Sequence, residues 1–139
     1  MGTVIRAAIS EKNKYYIDKH RHYELKHFCL QYPMWKRKYA GLGNLSVVSQ
    51  FGEKVPTSNK LGDPTGTCAV MKVQLLEKIE LVERIAKEAD NEIHEYILKA
   101  VTEGLSFPYL KTNLNIPCGK DMYYDRYRKF FWLLSNERD

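Results

Sequence analysis

The sequence predicts an all-α fold with an N-terminal helical segment, a long central helix and a C-terminal helix-turn-helix unit of three helices. Apolar residues recur at intervals of three and four, the spacing of one buried helix face. Glycines and prolines fall between these windows and mark their ends. The chain is therefore expected to divide into residues 1–43, a basic helical segment, residues 44–62, a loop or linker, and residues 63–139, the long helix with the three-helix unit.

The residue pattern of the N-terminal segment predicts a helix over residues 10–32. Its expected buried face is formed by Leu25, Phe28, Cys29 and Tyr32. Pro33 should break this helix, because proline cannot donate the backbone hydrogen bond of a helix interior. A short second helix is then expected over residues 34–39, ending at Gly41 and Gly43.

Residues 44–62 are expected to form a long loop with at most a short hairpin over residues 45–51. A long helix should follow, with Asp63 as its N-cap and Pro64 in its first turn, and should end near Ala89. Its apolar residues form a continuous seam: Met71, Leu75, Ile79, Val82, Ala86 and Ala89. Such a seam packs against another helix, either within the chain or across a dimer.

Three further helices are expected after Asp90 and Asn91. The first runs from Glu92 to Glu103, and the second is short and capped by Ser106. Ile116 in the following turn should be buried and fix the angle to the last helix, Lys120–Ser135. The core face of that helix should comprise Tyr123, Tyr127, Phe130, Phe131 and Leu134. Trp132 lies opposite this face, so the N-terminal helices or a second subunit should cover it.

A short helix, a tight turn and a longer basic and aromatic helix are typical of DNA-binding helix-turn-helix units. The candidate DNA-contacting residues are Lys111, Cys118, Gly119, Lys120, Asp121, Tyr124, Arg126, Arg128 and Lys129. Arg128 is placed for base edges, and Arg126 and Lys129 for phosphates or base edges. Asp121 would either accept a hydrogen bond from cytosine N4 or cap the helix.

The ends of the chain carry an excess of positive charge, which favours contact with a polyanionic partner there. The net charge is +5, and residues 1–40 hold nine Lys and Arg against three Asp and Glu. Residues 77–95 hold three against seven, so this acidic middle would be repelled by phosphates. No apolar run reaches the ~18 residues of a membrane span, and no secretory signal is evident, so no membrane contact and a cytoplasmic location are expected.

No cofactor, metal ion or catalytic residue is expected. The cysteines Cys29, Cys68 and Cys118 lack CxxC spacing and are expected to be small, partly buried side chains. His20, His22 and His27 lie near Cys29, but they are better explained as histidines on a basic surface helix than as a zinc site. The carboxylates of residues 77–95 alternate with cations as on a solvated helix face, which makes an enzyme an unfavoured interpretation.

Three stretches resemble the RinA/ArpU-type transcriptional regulators of phages and prophages, whose C-terminal unit is similar to region 4 of sigma factors. They are Leu25–Pro33, which ends in Tyr-Pro; Asp63–Thr65 followed by Lys78–Glu83; and Ile116 followed by Tyr123-Tyr124 and a continuation to Leu134. The resemblance implies a regulator that binds double-stranded DNA, as a homodimer, with RNA polymerase as a further candidate partner. Pro117 and Asp125 depart from the family pattern at the edge that would read bases.

Two other functions fit much of the same pattern. A small terminase subunit of a phage also binds DNA through helix-turn-helix units, but it would form a ring of many subunits. A protein-interaction module of phage origin would keep the helical shape without binding DNA. The carboxylates Asp121 and Asp125 favour this last interpretation, because they lie at the end of the helix that would approach phosphates.

Overall fold

A computed structural model describes residues 12–51 and 64–138, and every regular element within these ranges is an α-helix. The helices are α1 (Lys19–Leu30), α2 (Tyr32–Phe51), α3 (Pro64–Ala89), α4 (His94–Glu103), α5 (Phe107–Leu114) and α6 (Lys120–Glu137). The predicted all-α fold class is confirmed. None of these helices has both the length and the apolar character that crossing a membrane requires.

The described residues form two compact units. The larger unit comprises residues 12–31 and 82–138, and the smaller unit comprises residues 32–51 and 64–81. Helix α3 contributes to both. The units are thus separated within α3 and at the α1–α2 junction.

The larger unit is a cluster of helices around the aromatic face of α6. Helix α1 packs against α4 and α6, and α4 packs against α5 and α6. The most deeply buried side chains of this unit include Leu25, Cys29, Val82, Ile85, Ile97, Leu110, Ile116, Tyr123, Phe130, Phe131 and Leu134. The predicted core face of the last helix is therefore confirmed, except that Tyr127 is half-buried.

The smaller unit buries a few side chains of α2 and α3, namely Tyr32, Trp35, Leu75 and Ile79. Lysines of α3 cover aromatic rings of α2. Lys78 Nζ lies 5.8 Å from the Trp35 ring centre, and Lys72 Nζ lies 5.6 Å from that of Tyr39. Such cation–π contacts hold an aliphatic lysine stem over an aromatic ring while its charge stays near water.

The predicted seam of α3 is buried within the chain from Leu75 to Ala89, but not at its beginning. Met71 belongs to the predicted seam but is 41% exposed in the chain, next to the exposed Val70 and Val73. Ile85, which the seam left out, is fully buried. Helical spacing correctly indicated which face of α3 is buried. It could not show where along α3 this burial begins, because that depends on the neighbouring helices.

The described part of the helix expected over residues 10–32 begins only at Lys19, and residues 10 and 11 lie outside the described residues. Residues 12–18 are not helical, and α1 starts at Lys19 behind Asp18, whose side chain accepts a hydrogen bond from His20 N at 2.9 Å. The Asn13 side chain accepts another from Tyr15 N at 2.8 Å, which forms a local turn. These short polar side chains compete for the backbone donors that a helix would use.

The expected loop over residues 44–62 is wrong in its first part, since α2 continues through Gly41 and Gly43 to Phe51 and leaves no hairpin at residues 45–51. The break near Pro33 is confirmed, because α1 ends at Leu30 and Pro33 lies in the first turn of α2, where proline is tolerated. A helical glycine costs only about 1 kcal/mol, so it weakens a helix without having to end it. Residues 52–63, which include the predicted N-cap Asp63, lie outside the described residues.

Helix α1 is fixed to the end of α6 by arginine side chains. Arg21 donates to the hydroxyl and the backbone carbonyl of Ser135, each at 3.1 Å, and also to the carbonyl of Arg138. The Arg138 guanidinium in turn lies 4.2 Å from the centre of the Phe28 ring. The Arg21 donors satisfy backbone carbonyls at the C-terminal end of α6, which lack partners within the helix. Arg21 of α1 therefore caps the end of α6.

His22 lies in the middle of the α1–α6 contact. It is 5% exposed, and its ring meets the Phe131 ring edge-on at 4.8 Å. Its Nδ1 is buried without a hydrogen-bond partner among the described residues. Burial, assisted by the nearby Lys26, lowers the pKa of His22 to about 4. The expectation of surface histidines is thus wrong for His22, although it is correct for His20 and His27.

We predict that His22 makes the fold sensitive to mild acid. The unfolded chain binds a proton at His22 below about pH 6.5, whereas the folded chain does so only below about pH 4, so stability falls as the pH falls through this range. The shift corresponds to about 3 kcal/mol. Urea unfolding of wild type between pH 7 and pH 4.5 should show this loss, and His22→Phe should reduce it. His20→Gln, at an exposed position, is the control, and an equal pH dependence in all three proteins would refute the assignment.

Candidate nucleic-acid interface

The helices of the C-terminal unit begin and end close to the predicted residues. Gly104 ends α4 in the left-handed conformation, with φ of 72°. Ser106 caps α5, because its hydroxyl accepts a hydrogen bond from Tyr109 N at 3.3 Å. Helix α5 has only eight residues, as expected for the second helix of this type of unit.

The turn between α5 and α6 is held by backbone and side-chain hydrogen bonds. Asn115 takes the left-handed conformation with φ of 55°, which its short polar side chain tolerates. Ile116 is 1% exposed, and its N–H donates to the carbonyl of Leu110 at 3.2 Å. The predicted burial of Ile116 is confirmed. Lys111 Nζ lies 3.4 Å from the carbonyl oxygens of Ile116 and Cys118, so this candidate contact residue also braces the turn.

The first turn of α6 is open to solvent. Gly119 is the N-cap residue, and Lys120, Asp121 and Met122 are exposed. Cys118 is partly buried just before them, and burial, more than the opposing charge of Lys111, sets the pKa of its thiol above the usual value. Four of the predicted contact residues, Cys118 to Asp121, therefore lie together at the start of α6.

Two candidate DNA-contacting residues farther along α6, Tyr124 and Arg128, are more buried than the sequence indicated. Tyr124 is half-buried, and its ring lies 5.0 Å from the Tyr123 ring and 6.2 Å from the Phe107 ring. Arg128 is half-buried, and its Nε is buried without a hydrogen-bond partner among the described residues. Lys129 is also half-exposed. The ring contacts of Tyr124 fix the orientation of α6. Arg128 and Lys129 keep part of their surfaces in water.

Arg126 is held by the fold, which corrects the expectation that it is free to meet phosphates. Its Nε donates to Asp90 Oδ2 at 2.8 Å, and its Nη1 donates to Asp125. Asp90 Oδ1 also accepts hydrogen bonds from the backbone N–H groups of Glu92 and Ile93, at 2.8 and 3.0 Å. Asp90 therefore connects the α3–α4 junction to the middle of α6. Helical spacing indicated a capping role for Asp90 but could not reveal this long-range partner.

The pKa of Asp90 agrees with this role. Burial alone would raise the pKa of the carboxyl, but hydrogen bonds from Ile93 N and the Arg126 side chain, followed by Glu92 N, outweigh it and lower the pKa below the usual value. The carboxylate thus remains ionised and paired at neutral pH. The Arg126 charge is correspondingly neutralised within the protein.

The leading edge of α6 is consequently less basic than the net charge of the chain suggests. From Cys118 to Asp125 the only cation is Lys120, and it is accompanied by the carboxylates Asp121 and Asp125. The positive end of the helix dipole and the free N–H groups of the first turn are the other features here that attract an anion. A role in binding phosphates would therefore also need cations away from this edge.

Trp132, on the side of α6 opposite the core, is half-buried. Its ring centre lies 5.6 Å from that of Tyr15, in the non-helical segment before α1. The N-terminal helices or a second subunit were expected to cover Trp132, but the ring that contacts it belongs to Tyr15 in a non-helical segment, and Trp132 stays partly exposed. The N-terminal segment and α1 thus occupy parts of α6 that would otherwise be exposed.

Within residues 12–51 and 64–138, no group of three or more His, Cys, Asp or Glu side chains is arranged to hold a metal ion. Cys29 is fully buried, and burial raises the pKa of its thiol to about 12. Its thiolate, the nucleophilic form, is therefore nearly absent at neutral pH. Cys68 and Cys118 are partly buried free thiols, as expected for these residues.

No family model matches the chain, and neither a curated protein nor a solved structure shows significant similarity to it. The assignment of function therefore depends on the geometry of its own residues.

We predict that Asp90 stabilises the C-terminal unit. Asp90→Ala removes acceptors from two backbone donors and leaves Arg126 without its 2.8 Å partner, and it should lower the free energy of unfolding by about 1–3 kcal/mol. Asp90→Asn keeps an oxygen acceptor and should cost less. Urea denaturation measures both. Glu92→Ala at an exposed neighbouring position is the control, and an Asp90→Ala loss no larger than the control loss would contradict the role.

Proposed function

We propose that the chain is a sequence-specific DNA-binding protein of the transcription-regulator type, with α6 entering the major groove. One observation carries this proposal: the first turn of α6 is exposed, whereas its later turns are anchored by Tyr123, Phe130 and Leu134. The resemblance to RinA/ArpU-type regulators supports a phage or prophage setting. It also supplies RNA polymerase as a candidate partner.

The dimensions of the unit suit a groove. The major groove is about 12 Å wide, and an α-helix with its side chains is about 10–12 Å across, so only a helix that projects from its own core can enter. Helix α5 is about 12 Å long at 1.5 Å per residue. The turn that joins it to α6 is anchored by one buried residue, Ile116. The short α5 leaves the start of α6 uncovered.

Gly119 supports the approach of a ligand to this turn. Its φ of −85° is allowed for any residue, and nothing lies within 4 Å of the position that a Cβ atom would occupy. The fold therefore does not require a glycine there. A glycine at a helix start lets another molecule come close to the backbone N–H groups, which is how many proteins bind phosphates.

The exposed side chains then divide into two kinds of contact. Lys120 and Lys129 are placed for phosphates, which position the protein on the duplex. Asp121 remains a candidate acceptor for cytosine N4, and Arg128 a candidate for guanine. Arg126 serves as an internal support for α6 and is omitted from the contacts with DNA.

A protein-interaction role is the second candidate, because specific exposed residues favour it. Tyr109 on α5 is 45% exposed and Met122 on α6 is 36% exposed, beside the carboxylates Asp121 and Asp125. Exposed aromatic and methionine side chains are enriched in protein interfaces. This arrangement would suit a basic partner protein and would not bind a duplex.

The two candidates are separated by selecting bound sites from a pool of random duplexes and measuring affinity for the enriched site. Gly119→Asp adds a negative charge at the N-cap of α6, where aspartate stabilises a helix, so the folded state should be as stable as wild type or more so. The same charge would meet DNA phosphates, and affinity should fall by at least about tenfold, because like charges at an interface cost several kcal/mol. Lys120→Gln should weaken binding as well.

Asn91→Asp is the matched control, since it adds the same charge at an exposed position just before α4. This variant should bind the enriched site like wild type. An unenriched pool, or equal affinities of Gly119→Asp and Asn91→Asp, would contradict the proposal. The first of these results would favour the protein-interaction role.

A further inference from the structure

The smaller unit carries a cluster of three exposed cations. Lys36, Arg37 and Lys38 are consecutive on α2, and all three are exposed. None of them pairs with a carboxylate of the described residues, and α2 itself contains no Asp or Glu. We call these three residues the α2 basic cluster.

The packing of α2 keeps this cluster in solvent. Tyr32 and Trp35 are 9% and 2% exposed, and they fix one side of the helix in the unit. At about 100° per residue, Arg37 points away from that side, while Lys36 and Lys38 lie on its two edges. Lys36 Nζ lies 5.5 Å from the Tyr32 ring centre, so its stem rests on the ring while the ammonium remains available.

The surroundings of the cluster are also positive. The described part of the smaller unit holds five cations, with Lys72 and Lys78 on α3 in addition to the cluster, against the two carboxylates Glu77 and Glu80. This excess attracts a polyanion. It contrasts with the leading edge of α6, where Lys120 is accompanied by two carboxylates.

We propose that the α2 basic cluster is a second, sequence-independent contact for the phosphates of duplex DNA. The inference rests on the proposed DNA-binding function. The start of α6 supplies specificity but little positive charge, and phosphate contacts provide most of the non-specific affinity of DNA-binding proteins. Because both units belong to one chain, a duplex held by one unit is presented to the other at a high effective concentration.

DNA suits the cluster better than an anionic membrane surface does. Basic helices that lie on membranes insert aromatic and large apolar side chains between the lipids. Of the aromatic side chains near the cluster, Tyr32 and Trp35 are buried in the protein, and Tyr39 is partly buried with Lys72 Nζ 5.6 Å from its ring centre. A contact made by exposed cations alone is typical of phosphate-backbone binding.

The experiment measures the affinity of the full chain for a mixed-sequence duplex as a function of KCl concentration. The variant Lys36→Gln/Lys38→Gln should bind more weakly than wild type at low salt. Its slope of log affinity against log salt should be smaller in magnitude by about 2, because each neutralised phosphate contributes about 0.9. Lys36→Arg/Lys38→Arg, which retains both charges, should keep the wild-type slope.

Lys87→Gln/Lys99→Gln is the matched control, since it removes two charges from exposed lysines outside the α2 basic cluster. Circular dichroism and thermal melting establish that all variants are folded. If wild type binds the duplex, Gly119→Asp weakens binding, and the slope of Lys36→Gln/Lys38→Gln equals that of the control, the α2 contact is refuted while the proposed function stands.

Two further results would overturn both proposals together. The first is that wild type fails to bind duplex even at low salt. The second is that the chain binds vesicles rich in the anionic lipid phosphatidylserine but no duplex, and loses this binding in Lys36→Gln/Lys38→Gln. That outcome would assign the cluster to a membrane surface.

Discussion

The burial of one face of α6 is the constraint on which the larger unit depends. Tyr123, Phe130, Phe131 and Leu134 are each at most 1% exposed, and they give α1 and α4 a common surface to pack on. Full burial of a large apolar side chain contributes about 1.5–3 kcal/mol, so this face outweighs any single surface ion pair. Arg21 at the end of α6 and Asp90 near its middle then fix its orientation. The same anchoring leaves the first turn exposed to solvent.

Much of this unit could be predicted from the sequence because its signals are local. Helical spacing indicated the buried face of α6, and Gly104 and Ser106 marked helix ends through backbone geometry and a short-range hydrogen bond. The failures involve partners distant in sequence. His22 is buried because Phe131 faces it, and Arg126 is paired because Asp90 reaches it across 36 positions. No spacing rule reveals such contacts. Glycine and serine in residues 41–51 favour a loop, but α2 continues through them, because a helical glycine costs only about 1 kcal/mol and does not by itself end a helix.

Charge distribution separates two tasks that a DNA-binding chain has to perform. Specific reading of bases needs a narrow, well-oriented edge, and the proposed function assigns this task to the first turn of α6, which carries few charges. Affinity needs several cations near phosphates, and the second proposal assigns this task to α2, which contains no Asp or Glu. Arg126, which by residue type looked like a phosphate ligand, stabilises the fold instead. Counting cations along a helix therefore overstates its affinity for DNA when the fold neutralises some of them.

The central claim is that α6 meets DNA through its exposed first turn. Amide chemical shifts of the isotope-labelled protein, recorded by NMR as an enriched duplex is added, test it most directly. We expect the largest changes at the backbone amides from Gly119 to Met122, with smaller changes at the buried amides of Phe130 and Phe131. Changes of similar size along the whole of α6, or none in its first turn while other exposed regions respond, would contradict the claim.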